Sequence, residues 1–248
     1  MDREQCAAIL VERLKIFWKA TRNLEKRIHG PDFREPEELL PRRNRSPLAS
    51  WFKSLPHLHL PAGMVPDIYH SGTKMGSAPV LYARKKDSPR LKDHFGPYLG
   101  DDKPEGTMLM EAVVPDKTIE GIWELILLDE MGAQFGLYWH AGYELLRILY
   151  DWDEVFIGKT YAGLPDDGEC LFGDGRATVS EEDRRELLSW NIAPYVTMRD
   201  DRAFAHYCVF SPFGGFYKVR RTVVLSPKLE IKKPVILKKV EYNCGIIY

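Results

Sequence analysis

Residues 203–225 read AFAHYCVF, then SPFGG, then FYKVRRTVVL: two apolar-rich runs joined by five turn-forming residues. A Ser-Pro-Phe-Gly-Gly link between such runs signals a β-hairpin, because glycine and proline supply the backbone angles of a tight reversal. In the second run Lys218, Arg220 and Thr222 fall on one face of a strand, and Tyr217, Val219, Val223 and Leu225 on the other. Arg221 interrupts the apolar face and needs a partner or an edge position. A further run at 235–241 makes the C-terminal third an expected set of strands.

Working outward, Ser180 followed by Glu181, Glu182 and Asp183 is a helix start of capping-box type, with acids where the helix dipole favours them. That helix is expected to run to about Trp190. Before it, 158–175 holds five glycines and one proline and reads as a loop. Three denser stretches at 121–129, 135–141 and 145–151 read as a meander with turns at 131–134 and 142–143. A helix over 119–131 ended by Gly132 is the rival reading; alternation through Phe135, Leu137 and Trp139 favours strands. Further strands are expected at 67–70, 79–84 and 107–114, with a short helix from Ser88-Pro89 to Gly96-Pro97. At the N-terminus Asp2 caps an expected helix over 3–29, built on Ile9, Leu10, Leu14, Phe17, Trp18, Leu24 and Ile28. A proline- and charge-rich connection over 32–45 and a short helix at 48–54 follow. The expected fold is α+β: a mostly antiparallel sheet of six or more strands, an N-terminal helix and peripheral helices. One domain over 1–248 is expected, with the helix and connection at 1–47 and the sheet-containing core at 48–248.

The formal net charge is only −1, but it is distributed in blocks. Residues 116–206 hold 19 acidic and 8 basic side chains, a net −11, whereas 207–248 hold 8 basic and 2 acidic, a net +6. Such segregation either closes internally or leaves a charged face for a partner. Apolar content of 44% is enough for a substantial core. No apolar run is long enough to span a bilayer, and no signal-peptide core follows the N-terminus, so a cytoplasmic address is expected. Cys6, Cys170, Cys208 and Cys244 are scattered without metal-ligand spacing and read as reduced, structural thiols.

Several groupings have the residue types that chemistry needs. His57 and His59 alternate along a strand and share a face, the start of a metal site with His70 as a further candidate ligand. His140 beside Glu144 is the start of an acid–base pair, but no nucleophile motif completes it. Asp151, Asp153, Glu154, Asp166, Asp167, Glu169 and Asp174 gather acids of the kind that hold hard cations, without the spacing of a calcium loop. Glu111, Asp116 and Lys117 do not make a nuclease signature. No phosphate-binding loop, dinucleotide fingerprint or kinase motif is present, so no cofactor is implied. The basic stretches at 42–45 and 84–86 are local, and a pI near 6.7 argues against nucleic-acid binding.

Tyr69-His70-Ser71-Gly72-Thr73 resembles the Tyr-His-Gly-Thr motif of diphtheria-type ADP-ribosyltransferases, with Ser71 inserted. The resemblance implies that His70 orients a nicotinamide nucleotide and offers Glu241 as the glutamate assisting transfer. Two function classes follow. The first is a binding module whose acidic segment engages a basic protein, in the manner of an inhibitor or immunity-type protein. Its contact residues are expected to be Trp139, Asp151, Trp152, Asp153, Glu154, Tyr161, Asp166 and Asp167, with the aromatics as anchors. The alternative is a small enzyme, either a metal-dependent hydrolase or a transferase built around His70.

Overall fold

The computed structural model describes residues 2–29, 48–73, 76–91, 94–95, 107–134, 138–139, 146–152, 180–211 and 214–242. It is an α+β fold with mostly antiparallel strand pairing. The chain divides into two compact units, Arg13–Gly142 and the pair of segments Met1–Glu12 and Tyr143–Tyr248. The division falls inside helix α1 (Arg3–His29), whose first turn is capped by the Asp2 carboxylate accepting the Gln5 N–H at 2.8 Å.

In the Arg13–Gly142 unit, Leu14, Phe17, Thr21 and Leu24 form the buried stripe of α1 that the spacing predicts. Helix α2 (Leu48–Phe52) sets Trp51 on it: the indole meets Phe17 edge-on and donates to Thr21 Oγ1 at 3.0 Å. Next come β1 (Leu58–His59) and a long hairpin, β2 (Met64–Thr73) with β3 (Gly76–Lys85). β4 (His94–Phe95) runs parallel along β2, and β5 (Thr107–Met108) pairs with β3. Helix α3 (Leu109–Ala112), β6 (Val114–Pro115), helix α4 (Ile119–Met131) and β7 (Tyr138–Trp139) follow. β6 pairs with β1, and β7 with β3.

Three expectations here are corrected. Residues 121–129 are helical, so the rival reading of 119–131 holds. Thr118 Oγ1 accepts the Gly121 N–H at 3.1 Å, and Gly132 ends the helix through its N–H to Leu128 O. Nine residues of α4 are buried, apolar nearly all round, which is why no one-sided period marked it. Residues 107–114 are not one strand: α3 interrupts it, turning Leu109 and Ala112 inward together at helical spacing. No helix opens at Ser88-Pro89 among the described residues. Arg84 Nη1 instead takes the carbonyls of Lys85, Lys86 and Ser88 at 2.8–3.1 Å, so they are not the start of a helical ladder.

In the other unit, β8 (Arg147–Leu149) precedes helix α5 (Glu181–Leu188), which begins as expected, with Ser180 Oγ accepting the Asp183 N–H at 3.0 Å. Then come β9 (Tyr195–Arg199), β10 (Arg202–Ser211), β11 (Gly215–Val224), β12 (Glu230–Ile231) and β13 (Val235–Val240). The quoted hairpin is β10–β11, in register from Arg202↔Val224 to Ser211↔Gly215. Gly215 has φ +90, and a Cβ there would stand 2.3 Å from Val240 O, so only glycine suits that corner. β9 and β8 flank β10 in succession, and β13 and β12 flank β11. Among the described residues no helix is long and apolar enough to cross a membrane. The loop expected at 158–175 and the connection at 32–45 lie outside the described residues.

Candidate functional site

Because residues opposite each other in register share a face, the pairings define rows across the C-terminal sheet. One row holds Phe210, Phe216 and Val240; with Leu149 and Cys208 from the next row it forms the core covered by Leu187, Trp190 and Ile192. Trp152 and Tyr242 pack against the same core. Burial pushes the Cys208 thiol up to about 12, so it is an inert core group. Moving along that face away from the helix, the side chains turn cationic. Lys218 stands opposite Cys208 and Lys238, and the following row reads Tyr195, His206, Arg220, Val235.

This second row is built from stacked groups. The Tyr195 and His206 rings lie 4.4 Å apart and 5° from parallel. Arg3 places its guanidinium 4.1 Å from the centre of the Tyr195 ring, a cation–π contact held at the start of α1. The adjacent Cys6 thiol lies 3.9 Å from Val196 O, tying that turn of α1 to β9. His206 is held below the usual histidine range, first by burial and then by Arg220, Arg3 and Lys218. Neither His206 ring nitrogen hydrogen-bonds to a described residue, and Arg3, Lys218 and Arg220 form no ion pair with one. Three lysines of this unit have carboxylate partners: Lys238 with Glu186 at 2.7 Å, Lys239 with Glu241 at 3.2 Å, and Lys232 with Glu230 at 2.6 Å. Among the described residues the row is therefore a local excess of positive charge.

In the Arg13–Gly142 unit a second polar cluster surrounds the start of α4. Asp116 bridges two imidazoles, its Oδ2 3.2 Å from His57 Nδ1 and its Oδ1 2.8 Å from His59 Nε2. These contacts hold its carboxyl below the usual range. Glu124 is fully buried; Oε2 accepts the His57 backbone N–H at 2.8 Å, and Oε1 lies 3.8 Å from Arg13 Nε. Burial raises the Glu124 carboxyl. The two histidines do share a face as their spacing implies, but they meet a carboxylate. Among the described residues no group of three or more histidine, cysteine, aspartate or glutamate side chains is placed to hold a metal ion.

The other anticipated residues are distributed as follows. His70 is buried in β2 of the Arg13–Gly142 unit, whereas Glu241 is exposed after β13 in the other unit. Trp139 lies in β7, in register with Gly76. Asp151 is exposed. Trp152 is half-buried, donates to Trp190 O at 3.3 Å and packs on Phe216. His140, Glu144, Asp153, Glu154, Tyr161, Asp166, Asp167, Glu169 and Asp174 lie outside the described residues. Sequence reasoning singled out neither Arg3, Tyr195 nor His206; they lie far apart in sequence, and only the α1–β9–β10 packing joins them. It also passed over Asp67, a buried acid clasped by Arg84 at 2.7 Å and by Arg90 at 2.7 and 2.9 Å.

Compared with known proteins, the chain matches no family model, no curated protein and no solved structure.

Proposed function

We propose that this protein is a binding module that engages an acidic protein partner through the C-terminal sheet, at the row Tyr195–His206–Arg220 with Arg3 and Lys218. The observation that carries the reading is a cluster of cations without an ion-pair partner among the described residues. Three cations act on one half-buried imidazole, while Lys232, Lys238 and Lys239 have carboxylate partners. A positive patch of this kind orients an acidic surface and speeds its encounter. Tyr195 uses both ring faces, one on His206 and one on Arg3, which suits contact with carboxylates or phosphates at ring edges better than stacking on bases.

A basic partner for the acidic segment is the expectation from charge blocks alone. Of its contact residues only Trp139, Asp151 and Trp152 are described, and Trp152 serves the core. A cytoplasmic address is part of the proposal, supported by the buried free thiols Cys6 and Cys208 and read by cell fractionation.

The test is affinity capture at low and high salt with the wild type, with Lys218→Glu/Arg220→Glu, and with Asp151→Lys. The proposal expects an acidic partner, released by salt, lost by the double variant and kept by Asp151→Lys. A partner kept by the double variant and lost by Asp151→Lys would replace this reading with the basic-partner one.

A further inference from the structure

We infer that the group recognised by His206, Lys218 and Arg220 is a phosphate on an extended protein segment, with an apolar residue of the same segment seated on Val235. The inference rests on the acidic-partner reading and narrows it to one chemistry.

The geometry leads there in three steps. His206 and Arg220 are opposite in register, and Lys218 is two residues along the same face of β11, so their side chains rise as neighbours. A carboxylate brings one negative charge to these cations; a phosphate brings nearly two, with three acceptor oxygens to share among an arginine, a lysine and an imidazole. Arginine suits it further, because its planar fork matches two oxygens at once. Arg3, on the far side of Tyr195, adds field without competing for the same oxygens.

The row also continues past the cations. Val235 stands opposite Arg220 and is 44% exposed. It lies two strand spacings from His206, about 10 Å, which about three residues of extended chain cover. The segment does not extend β13 itself by strand addition, since a register shift beside Lys218/Val219 leaves Leu237 unmatched and the edge carries Lys238 and Lys239. Recognition is therefore through side chains over the sheet face.

Three fluorescent heptapeptide libraries test this against the full chain by anisotropy. All are degenerate except at the centre, which is phosphoserine, glutamate or serine. The inference expects the phosphoserine library to bind about tenfold tighter than the glutamate library and the serine library to bind least. Bound phosphopeptides should be enriched in an apolar residue about three positions from the phosphate. Arg220→Gln should reduce phosphoserine binding to the glutamate level, while circular dichroism confirms that the variant folds. Lys218→Gln provides the same comparison at a second position. Equal binding of the phosphoserine and glutamate libraries would overturn the phosphate inference and leave the acidic-partner reading standing. Binding of neither would overturn both. Displacement of the phosphopeptides by a ten-nucleotide oligothymidylate at equal concentration would reassign the face to nucleic acid and also overturn it.

Discussion

Tyr195 and His206 stack face to face at 4.4 Å across the β9–β10 pair, with the Arg3 guanidinium on the tyrosine and Arg220 opposite the histidine. One imidazole thus stands among cations on a half-buried sheet face. The fold favours its neutral form, because burial and the neighbouring cations both oppose protonation.

That depression has a signed consequence for stability. The unfolded chain takes up a proton on His206 more readily than the folded one. Stability at this residue is therefore present above the ordinary histidine pKa of 6.5 and is lost as pH falls through it. His206→Gln should flatten this part of the pH dependence of Tm, and Arg220→Gln should make the loss smaller by bringing the folded pKa closer to the unfolded one. Thermal melts between about pH 5 and 8 read both, and an unchanged slope in His206→Gln would contradict the assignment.

Glu124 gives the opposite sign. Burial raises its carboxyl, so the unfolded chain loses that proton first, and stability falls as pH rises through the ordinary value of 4.5. Glu124→Gln keeps an acceptor for the His57 N–H and removes the charge, so it should gain relative to wild type at neutral pH. Glu124→Leu leaves that N–H without its acceptor and should cost about 1–3 kcal/mol. Urea titrations of the two variants compare them, and equal losses would show that the hydrogen bond matters little.

Asp67 should be among the most sensitive polar positions. Asp67→Ala leaves Arg84 and Arg90 without the carboxylate they share and should cost about 3–5 kcal/mol. Denaturant midpoints report it; a loss under about 1 kcal/mol would place the pair with ordinary surface ion pairs.

Gly121 is tested by adding one carbon. A Cβ there would lie 2.3 Å from Asp116 O, so Gly121→Ala must push the Asp116 loop off the first turn of α4. Loss of stability together with shifted His57 and His59 resonances is expected, since both rings lean on the Asp116 carboxylate. Silent resonances would separate the glycine from that cluster.

The sequence made α1, the β10–β11 hairpin and the α5 cap legible, because each rests on local chemistry: an apolar stripe, turn residues, and Ser180 before three acids. It misread α4 because burial on all sides removes the one-sided period, although Thr118, Glu120 and Gly132 carried start and stop signals. β9 went unseen because Tyr195–Arg199 is short and half polar, and with it went the partner of His206. Lys218 and Arg220 were correctly placed on one face; that they form no ion pair among the described residues is a property of three-dimensional packing.

The most direct measurement is the pKa of His206, followed by its imidazole NMR resonances across a pH titration, alone and saturated with the tightest-binding acidic or phosphorylated library peptide. An anion seated on this row offsets Arg220 and Lys218, so the His206 pKa should rise on binding, and Arg220→Gln should raise it without any ligand. A peptide that binds while leaving the His206 titration unmoved would place recognition elsewhere and contradict the account.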